Sequence, residues 1–543
     1  MLNFNNYKYM KRAFNLMFKS KIKIGRVPCI LNLNIKNNHM KTINKLGCVI
    51  AIALIVSACS LDLEPISDFS ELNVGGTTNT GTTVKFLTKA EMKTQYDNMY
   101  NQLSSSKLES WVLDYLIYSD MHADNAYRGA TDLELTQLEQ QRQDGNNKNI
   151  NRDWDSYFGI VGAANSVICN IDSVPDVTLT ASERKQWKAE ALILRSMIYF
   201  DLVRLWGDVP LILTEPPAIT SKNIEEVYPL YYPKKNTTAE VYSQLVADLN
   251  TALEPGGAPS IDNTNKFKFS KTVAYALLAK IYAEKPIRDY AKVIQYCTEV
   301  EKDVTLVANF GDLFNMNDAK TDVQNRNTSE SIFEITFSDG GNWVTWMCGI
   351  DQASANSKYD WAKWFTPTRD LTAAFVAAGD VERKAQTIIN ADVVWSNHYP
   401  SKGYPFMYKY RSKFHSVIKI RLADILLLKA EALVEQGNLA DAATLVNTIR
   451  KRAKLADLTS TTVASKELMQ DAVLNERRLE LAFEGQRWFD LVRTGKVFDV
   501  MNTLNKRDVG RLPMNEVTEE KILLPIPQPQ IDKNPSMTQN PGY

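Results

Sequence analysis

Between residues 181 and 206, apolar side chains return every three or four positions: Trp187, Ala191, Leu194, Ile198, Leu202 and Leu205. That step matches the α-helical turn. It predicts one long helix with Ser182 as N-cap and Gly207-Asp208-Val209-Pro210 as stop. Shorter stretches repeat the pattern. One covers 238–253 through Val241, Leu245, Leu249 and Leu253 and ends at Pro255-Gly256-Gly257. Another, 270–283, is dense in Ala and Leu and is followed at once by 289–300. A second close pair, 420–436 and 439–453, is joined by Gly437-Asn438, with Ala430, Ala432, Ala442 and Ala443 where facing helices need small side chains. Helix pairs with short turns predict a mostly α fold, a scaffold of tetratricopeptide-like hairpins. No strict period of about 34 residues runs through the chain, so irregular helix packing is the alternative on pattern alone.

The helical pattern lapses at 338–416. This stretch opens with Asp339-Gly340-Gly341-Asn342-Trp343-Val344-Thr345-Trp346, continues through Tyr359-Asp360-Trp361-Ala362-Lys363-Trp364, and holds five of the ten tryptophans. Flat aromatic faces suit a sugar, whose axial C–H groups pack on the π face while Asn, Asp and Arg satisfy its hydroxyls. The expectation is an irregular, loop-rich insertion carrying the ligand face, with Trp343, Trp346, Tyr359, Trp361 and Trp364 as contacts. Both Trp pairs are three apart, so each projects to one side if its segment is a helical turn. The competing reading puts these rings in the core. The organisation expected is thus 1–58 leader, 59–89 tether, 90–337 helical region, 338–416 ligand-binding insertion and 417–543 C-terminal region.

The leader is set apart by charge. Residues 1–58 hold ten Lys/Arg and no Asp or Glu, so their removal leaves 53 basic and 63 acidic residues, a net charge of −10. A chain that acidic is a poor polyanion binder, which argues against nucleic acid as a partner. Lys41 and Lys45 precede the apolar run Val49-Ile50-Ala51-Ile52-Ala53-Leu54-Ile55-Val56, then Ser57-Ala58-Cys59. The run is too short to span a bilayer, and the order of charge, apolar core and small residues is that of a secretory signal. Cysteine after Val-Ser-Ala resembles a bacterial lipobox, which makes Cys59 the expected lipidation site and new N-terminus. Residues 1–39 read as an extension upstream of a start at Met40. After Cys59 the chain is rich in Thr, Ser, Asn and Gly, the composition of a flexible tether.

Candidate chemistry is sparse. Beyond the leader, Cys169, Cys297 and Cys348 are widely spaced, and His122, His398 and His415 form no H-E-x-x-H pair. The expectation is buried free thiols and no metal or cofactor. There is no G-x-S-x-G elbow, phosphate-binding glycine loop or dinucleotide fingerprint. Two fold-placed carboxylates suffice for glycoside hydrolysis, but with 63 Asp and Glu chance pairs carry no weight. The reading is a binding protein, not an enzyme. Charges set in apolar helices, namely Glu190 and Arg195, Asp201 and Arg204, and Glu480 and Glu484 beside Arg477 and Arg487, are expected to pair and lock helix to helix. The Pro-rich close at 525–541 is expected to lie extended over the body.

Several of these runs carry a family resemblance. Ala189-Glu190-Ala191-Leu192-Ile193-Leu194-Arg195 leads into Tyr199-Phe200-Asp201-Leu202-Val203-Arg204-Leu205-Trp206-Gly207-Asp208-Val209-Pro210-Leu211. Asn475-Glu476-Arg477-Arg478-Leu479-Glu480-Leu481-Ala482-Phe483-Glu484-Gly485, Arg487-Trp488-Phe489-Asp490-Leu491 and the ending Asn540-Pro541-Gly542-Tyr543 follow in order. Together they resemble the SusD/RagB family, surface lipoproteins of Bacteroidetes nutrient uptake, from Cys59 to Tyr543. The resemblance implies a lipid-anchored outer-membrane protein that binds oligo- or polysaccharide and delivers it to a SusC-like TonB-dependent barrel. Some relatives bind peptides instead, and a structural or adhesive surface role is the alternative from another class. The run 119–129 resembles a family loop near the binding face, which adds Asp124 and Tyr127 to the expected ligand contacts.

Overall fold

The computed structural model describes residues 84–105, 107–337, 340–352, 354 and 359–543. The leader, Cys59 and most of the tether lie outside the described residues. Helix α1 (Lys89–Ser104) opens on Thr88, whose hydroxyl accepts the Glu91 amide while the Glu91 carboxylate accepts the Thr88 amide. Helix α2 (Lys148–Asn170) is capped by the Asn147 side chain. The reciprocal box returns at Thr180 and Glu183 for α3 (Ala181–Trp206) and at Thr237 and Glu240 for α4 (Thr238–Ala252). Each box satisfies two amides that the first turn leaves without partners. The cap of α3 is therefore Thr180, not Ser182: Thr180 has the extended backbone that aims its hydroxyl at the helix, and Ser182 is already inside the first turn. Gly207 ends α3 at φ 73°, a conformation that a residue with a Cβ rarely adopts.

From Ala189 to Val203 helix α3 is buried around its whole circumference, and it packs between α2 and α4. Apolar residues on every face mark a helix at the centre of a core, which its simple repeat did not convey. Helices α5 (Lys271–Ala283) and α6 (Tyr290–Val300) pair as a hairpin. So do α7 (Leu422–Glu435) and α8 (Leu439–Arg452), turned by Gly437 at φ 82°. Helix α7 packs on α6 and on α9 (Lys466–Glu480), joining the hairpins into one mostly helical scaffold.

Strands are short and antiparallel. β1 (Ala126–Arg128) pairs with β3 (Phe365–Pro367), Tyr127 facing Thr366. β2 (Ser331–Ile335) pairs with β6 (Val417–Arg421), so the chain leaves the scaffold on β2 and returns on β6 directly beside it. β4 (Ile388–Ala391) and β5 (Tyr404–Met407) form a hairpin within that excursion. The C-terminal segment clamps α3: the Leu524 amide donates to the Leu205 carbonyl at 2.8 Å, and the Asn540 side-chain amide donates to Trp206 and Leu524 carbonyls, both at 2.8 Å. It is not extended throughout. Gln528–Lys533 is a short helix with Pro529 in its first turn, where a missing N–H leaves no bond unmade.

The embedded charges do join helices, with some different partners. Arg195 forks onto Asp248 with two bonds of 2.8 Å, tying α3 to α4. Arg477 reaches Asp424 at 2.7 Å and Asp490 at 2.8 Å. Glu480 is shared by Arg383, Arg421 and Arg452, while Arg421 also holds Glu330 at 2.8 Å and Glu484 at 2.7 Å. Burial alone would raise the Glu480 pKa, but those three guanidinium groups hold it well below the usual carboxylate range. Glu190 departs from expectation: its carboxylate accepts from Tyr96, Tyr100 and Gln186 instead of Arg195, and burial pushes its pKa up. Of the thiols, Cys297 and Cys348 are buried as expected, but Cys169 is exposed near the end of α2, because its position falls on that helix's solvent side.

Candidate ligand-binding surface

The two Trp pairs of the excursion do not act as pairs. Trp343 precedes the one-turn helix Val344–Cys348 and is half-buried against the main core, whereas Trp346, inside that turn, is 55% exposed. Trp361 and Trp364 are not on a helix. Lys363 between them adopts φ 60°, which sends the two rings different ways. Trp364 is half-buried and its indole N–H donates to the Met347 sulfur at 3.1 Å. Trp361 instead meets Trp346, ring centres 5.2 Å apart and planes at 52°. The expected four-ring platform is thus corrected to one exposed ring, Trp346, backed by half-buried Trp361 from a second segment and not by spacing within one.

Tyr359 is half-buried on a small satellite core with Ile350, Ala362, Tyr404 and Phe406, its ring 5.2 Å from Phe406. Trp395 packs edge-on against Tyr404 at 4.6 Å and donates to the Tyr359 carbonyl at 3.1 Å. These rings stiffen the segment leading to Trp361, and Tyr359 is no part of the Trp346–Trp361 pair.

Asp124 and Tyr127 are corrected outright, because both are fully buried. The Asp124 carboxylate takes two bonds from Arg487, at 2.7 and 2.9 Å, and lies 3.2 Å from Arg478. Burial works to raise its pKa, but Arg478, Arg487 and Arg507 together keep it far below the ordinary value. Tyr127 donates to Asp508 at 2.5 Å, stacks on His398 at 4.7 Å and sits in the β1–β3 ladder. The loop 119–129 therefore fastens the excursion to the scaffold. Gly129 shows how tightly: a Cβ there would lie 2.2 Å from the Lys363 carbonyl oxygen. Behind β1, buried Glu139 lies 3.5 Å from Arg128, and burial pushes its carboxyl up to about 7.

One residue beside the pair escaped the sequence reading. The Lys363 side chain is buried, with its ammonium 4.8 Å from the Trp361 ring centre, and desolvation draws its pKa down to about 8. Its only sequence signal is a cation between two tryptophans. Among the described residues, no group of three or more His, Cys, Asp or Glu could hold a metal ion, and no helix is long and apolar enough to cross a membrane.

Comparison with known proteins bears directly on this architecture. Residues 359–543 match the family model described as "SusD family", and residues 79–283 match "Starch-binding associating with outer membrane". The chain is similar to the SusD/RagB family over both of these regions. Among curated SusD/RagB relatives, a SusD-like protein of Formosa agariphila is 28% identical over 428 residues, 72% of this chain and 79% of that one. The starch-binding protein SusD of Bacteroides thetaiotaomicron is 24% identical, covering 67% of this chain and 74% of its own. Of solved structures, a surface glycan-binding protein A from Bacteroides thetaiotaomicron, in complex with laminarihexaose, superposes at a TM-score of 0.67. It is 20% identical and covers 83% of this chain and 99% of its own. A SusD superfamily protein from Bacteroides vulgatus gives 0.68 at 20% identity, over 84% of this chain and 99% of its own. These likenesses place the hairpin scaffold and its excursion in the SusD fold, and the family's description places it at the outer membrane.

Proposed function

We propose that this SusD/RagB-like protein binds an oligosaccharide on the Trp346–Trp361 surface, without cleaving it, and passes it to a SusC-like TonB-dependent barrel while anchored by lipid on Cys59. The observation that carries the reading is the exposure of Trp346, the most exposed aromatic ring among the described residues. A solvent-facing indole, propped at its edge by a second one, offers an apolar face to a pyranose. The names of similar proteins, starch-binding and laminarihexaose-bound, favour a glycan over a peptide. The buried acids described above are committed to arginines or tyrosines, which favours a binding role over hydrolysis.

Each stacking contact contributes roughly 0.5–1.5 kcal/mol beyond area burial, so a surface of one exposed ring binds weakly and depends on that ring. Titration calorimetry with laminari-, malto- and uronate-containing oligosaccharides is the test. Trp346→Ala is expected to weaken the best ligand several-fold; unchanged affinity would move the site elsewhere. Cys59→Ala is expected to shift the protein from the outer-membrane to the soluble fraction, since a lipid chain contributes about 0.8 kcal/mol per buried CH₂. Affinity purification in mild detergent is expected to recover a barrel with the protein.

A further inference from the structure

Fifteen large apolar side chains are exposed among the described residues, and five of them fall within 219–231: Ile219, Ile224, Tyr228, Leu230 and Tyr231, each 42–51% exposed. The segment that carries them leaves the scaffold at Val209 and returns at Asn236, which face each other in an antiparallel bridge. Its own bonds hold it in one shape. The Tyr231 hydroxyl donates to the Pro217 carbonyl at 3.0 Å, the Asn223 side-chain amide to the Ala218 carbonyl at 3.0 Å, and the Thr220 amide to the Asn223 side-chain oxygen at 2.7 Å. The helix Ile224–Tyr231 buries only Val227. Ile224, Tyr228 and Tyr231 stand at the steps that share a helix face, and all three are exposed. A helix of a globular fold normally turns such a face to the core, whereas this one keeps it in water.

The start of the described chain meets the body at the same place. Lys85 pairs with Glu215 at 2.7 Å, and Glu215 is held to the end of α2 by the Asn170 side-chain amide at 2.9 Å. All of the chain upstream of Val84 therefore joins the body two residues before Pro217, on which Tyr231 is pinned. Val84 and Leu87 add exposed apolar side chains at this junction. We propose that residues 219–231 are a lipid-binding surface, with Ile224, Tyr228 and Tyr231 entering the interfacial layer of the outer membrane and turning this side of the body towards it. The inference rests on the outer-membrane placement and on the reading of Cys59 as the anchor. A lipid at the end of a tether limits distance without setting orientation, and a weak contact beside the tether's junction suffices because it is made intramolecularly. The chemistry favours lipid. Tyrosines with isoleucine, flanked by Lys222, Lys234 and Lys235, suit the layer where ring bodies meet acyl chains and hydroxyl and ammonium groups meet headgroups. Glu225, Glu226 and Leu230, at about 100°, 200° and 240° round the helix from Ile224, lie off the shared face. A stable protein partner would need roughly 800 Å² on each side, more than five half-exposed side chains supply.

The test is sedimentation of the Cys59→Ala protein, which carries no lipid on that residue and so reports the surface alone, with vesicles of phosphatidylethanolamine and phosphatidylglycerol. Expected is weak, saturable binding that survives high salt, falls about fivefold or more when Ile224→Gln and Tyr228→Gln are combined, and rises in Ile224→Trp. The proposal is overturned if the Cys59→Ala protein binds no vesicles, if the double change leaves binding unaltered, or if salt alone abolishes it. Self-association on size exclusion that the double change removes, with no vesicle binding, would give the face to a second copy. Loss of a co-purifying barrel in the double variant, with no vesicle binding, would give it to that protein, and either result also overturns the proposal. Should the double variant misfold in a melting curve, Ile224→Trp decides, and unchanged vesicle binding overturns it. Cell fractionation separates the surface from the anchor. If Cys59→Ala leaves the outer-membrane fraction and still binds vesicles, both stand. If it leaves and binds none, the anchor stands and the surface falls. If it stays on the membrane until Ile224→Gln and Tyr228→Gln are added, the surface stands and the anchor assignment falls.

Discussion

The scaffold around α9 and the excursion between β2 and β6 treat aromatic rings in different ways. In the scaffold Glu480 is shared among three arginines, Arg477 bridges two aspartates, and Trp206 is sealed against Trp154 and Tyr157. In the excursion Trp346 faces solvent, with Trp361 5.2 Å away behind it. The same residue types thus have two meanings. Where every charge has a partner, the group holds helices together. Where a ring is exposed, its apolar face is open to contact from outside.

The sharpest way to break this comparison is to break a shared charge. Glu480→Ala leaves Arg383, Arg421 and Arg452 facing one another in the interior, and a loss of about 3–5 kcal/mol in unfolding free energy is expected in denaturant titration. A loss under about 1 kcal/mol would show that this network relaxes easily. Trp206→Ala tests the ring half of the contrast, with about 3–5 kcal/mol expected for an indole with no exposed surface. A smaller effect is expected in the link between the two regions. Glu139 has an ordinary value of 4.5 and is raised by burial to about 7, against the pull of Arg511 and Arg128 and with Asp508 adding to the rise. The fold therefore favours its protonated form. That stability is fully present below pH 4.5 and is lost as pH rises through about 7. Glu139→Gln should flatten the fall in melting temperature over that window and leave the variant relatively more stable above it. The smallest effect should be Trp346→Ala, within about 0.5 kcal/mol in stability, while Trp206→Ala leaves any folded fraction able to bind glycan. If Trp346→Ala destabilises as much as Trp206→Ala, the two regions do not differ in the way described.

Much of the scaffold was legible because its signals are local. The three-and-four step of α3, the Gly437-Asn438 turn and the small residues of the α7–α8 pair each act within a few positions, and the helices formed where they pointed. The cap of α3 was misplaced by two residues because Thr180 and Ser182 are equally good cap chemistry, and only the backbone angle separates them. The candidate surface was half legible. Aromatic density marked the excursion that holds Trp346, but the spacing argument assumed helical turns, and the left-handed Lys363 turned Trp361 and Trp364 apart. Asp124 and Tyr127 look like polar loop residues because their partners, Arg487 and Asp508, stand more than 350 residues away in the chain.

By itself the sequence determined the helical hairpins and the family resemblance, since each depends on residue type and short spacing. Only the tertiary structure decided which tryptophan is exposed and which acid is committed. Burial and pairing are properties of contacts between distant segments: the β1–β3 pair holds Tyr127 in the interior, and arginines far along the chain hold Asp124 there.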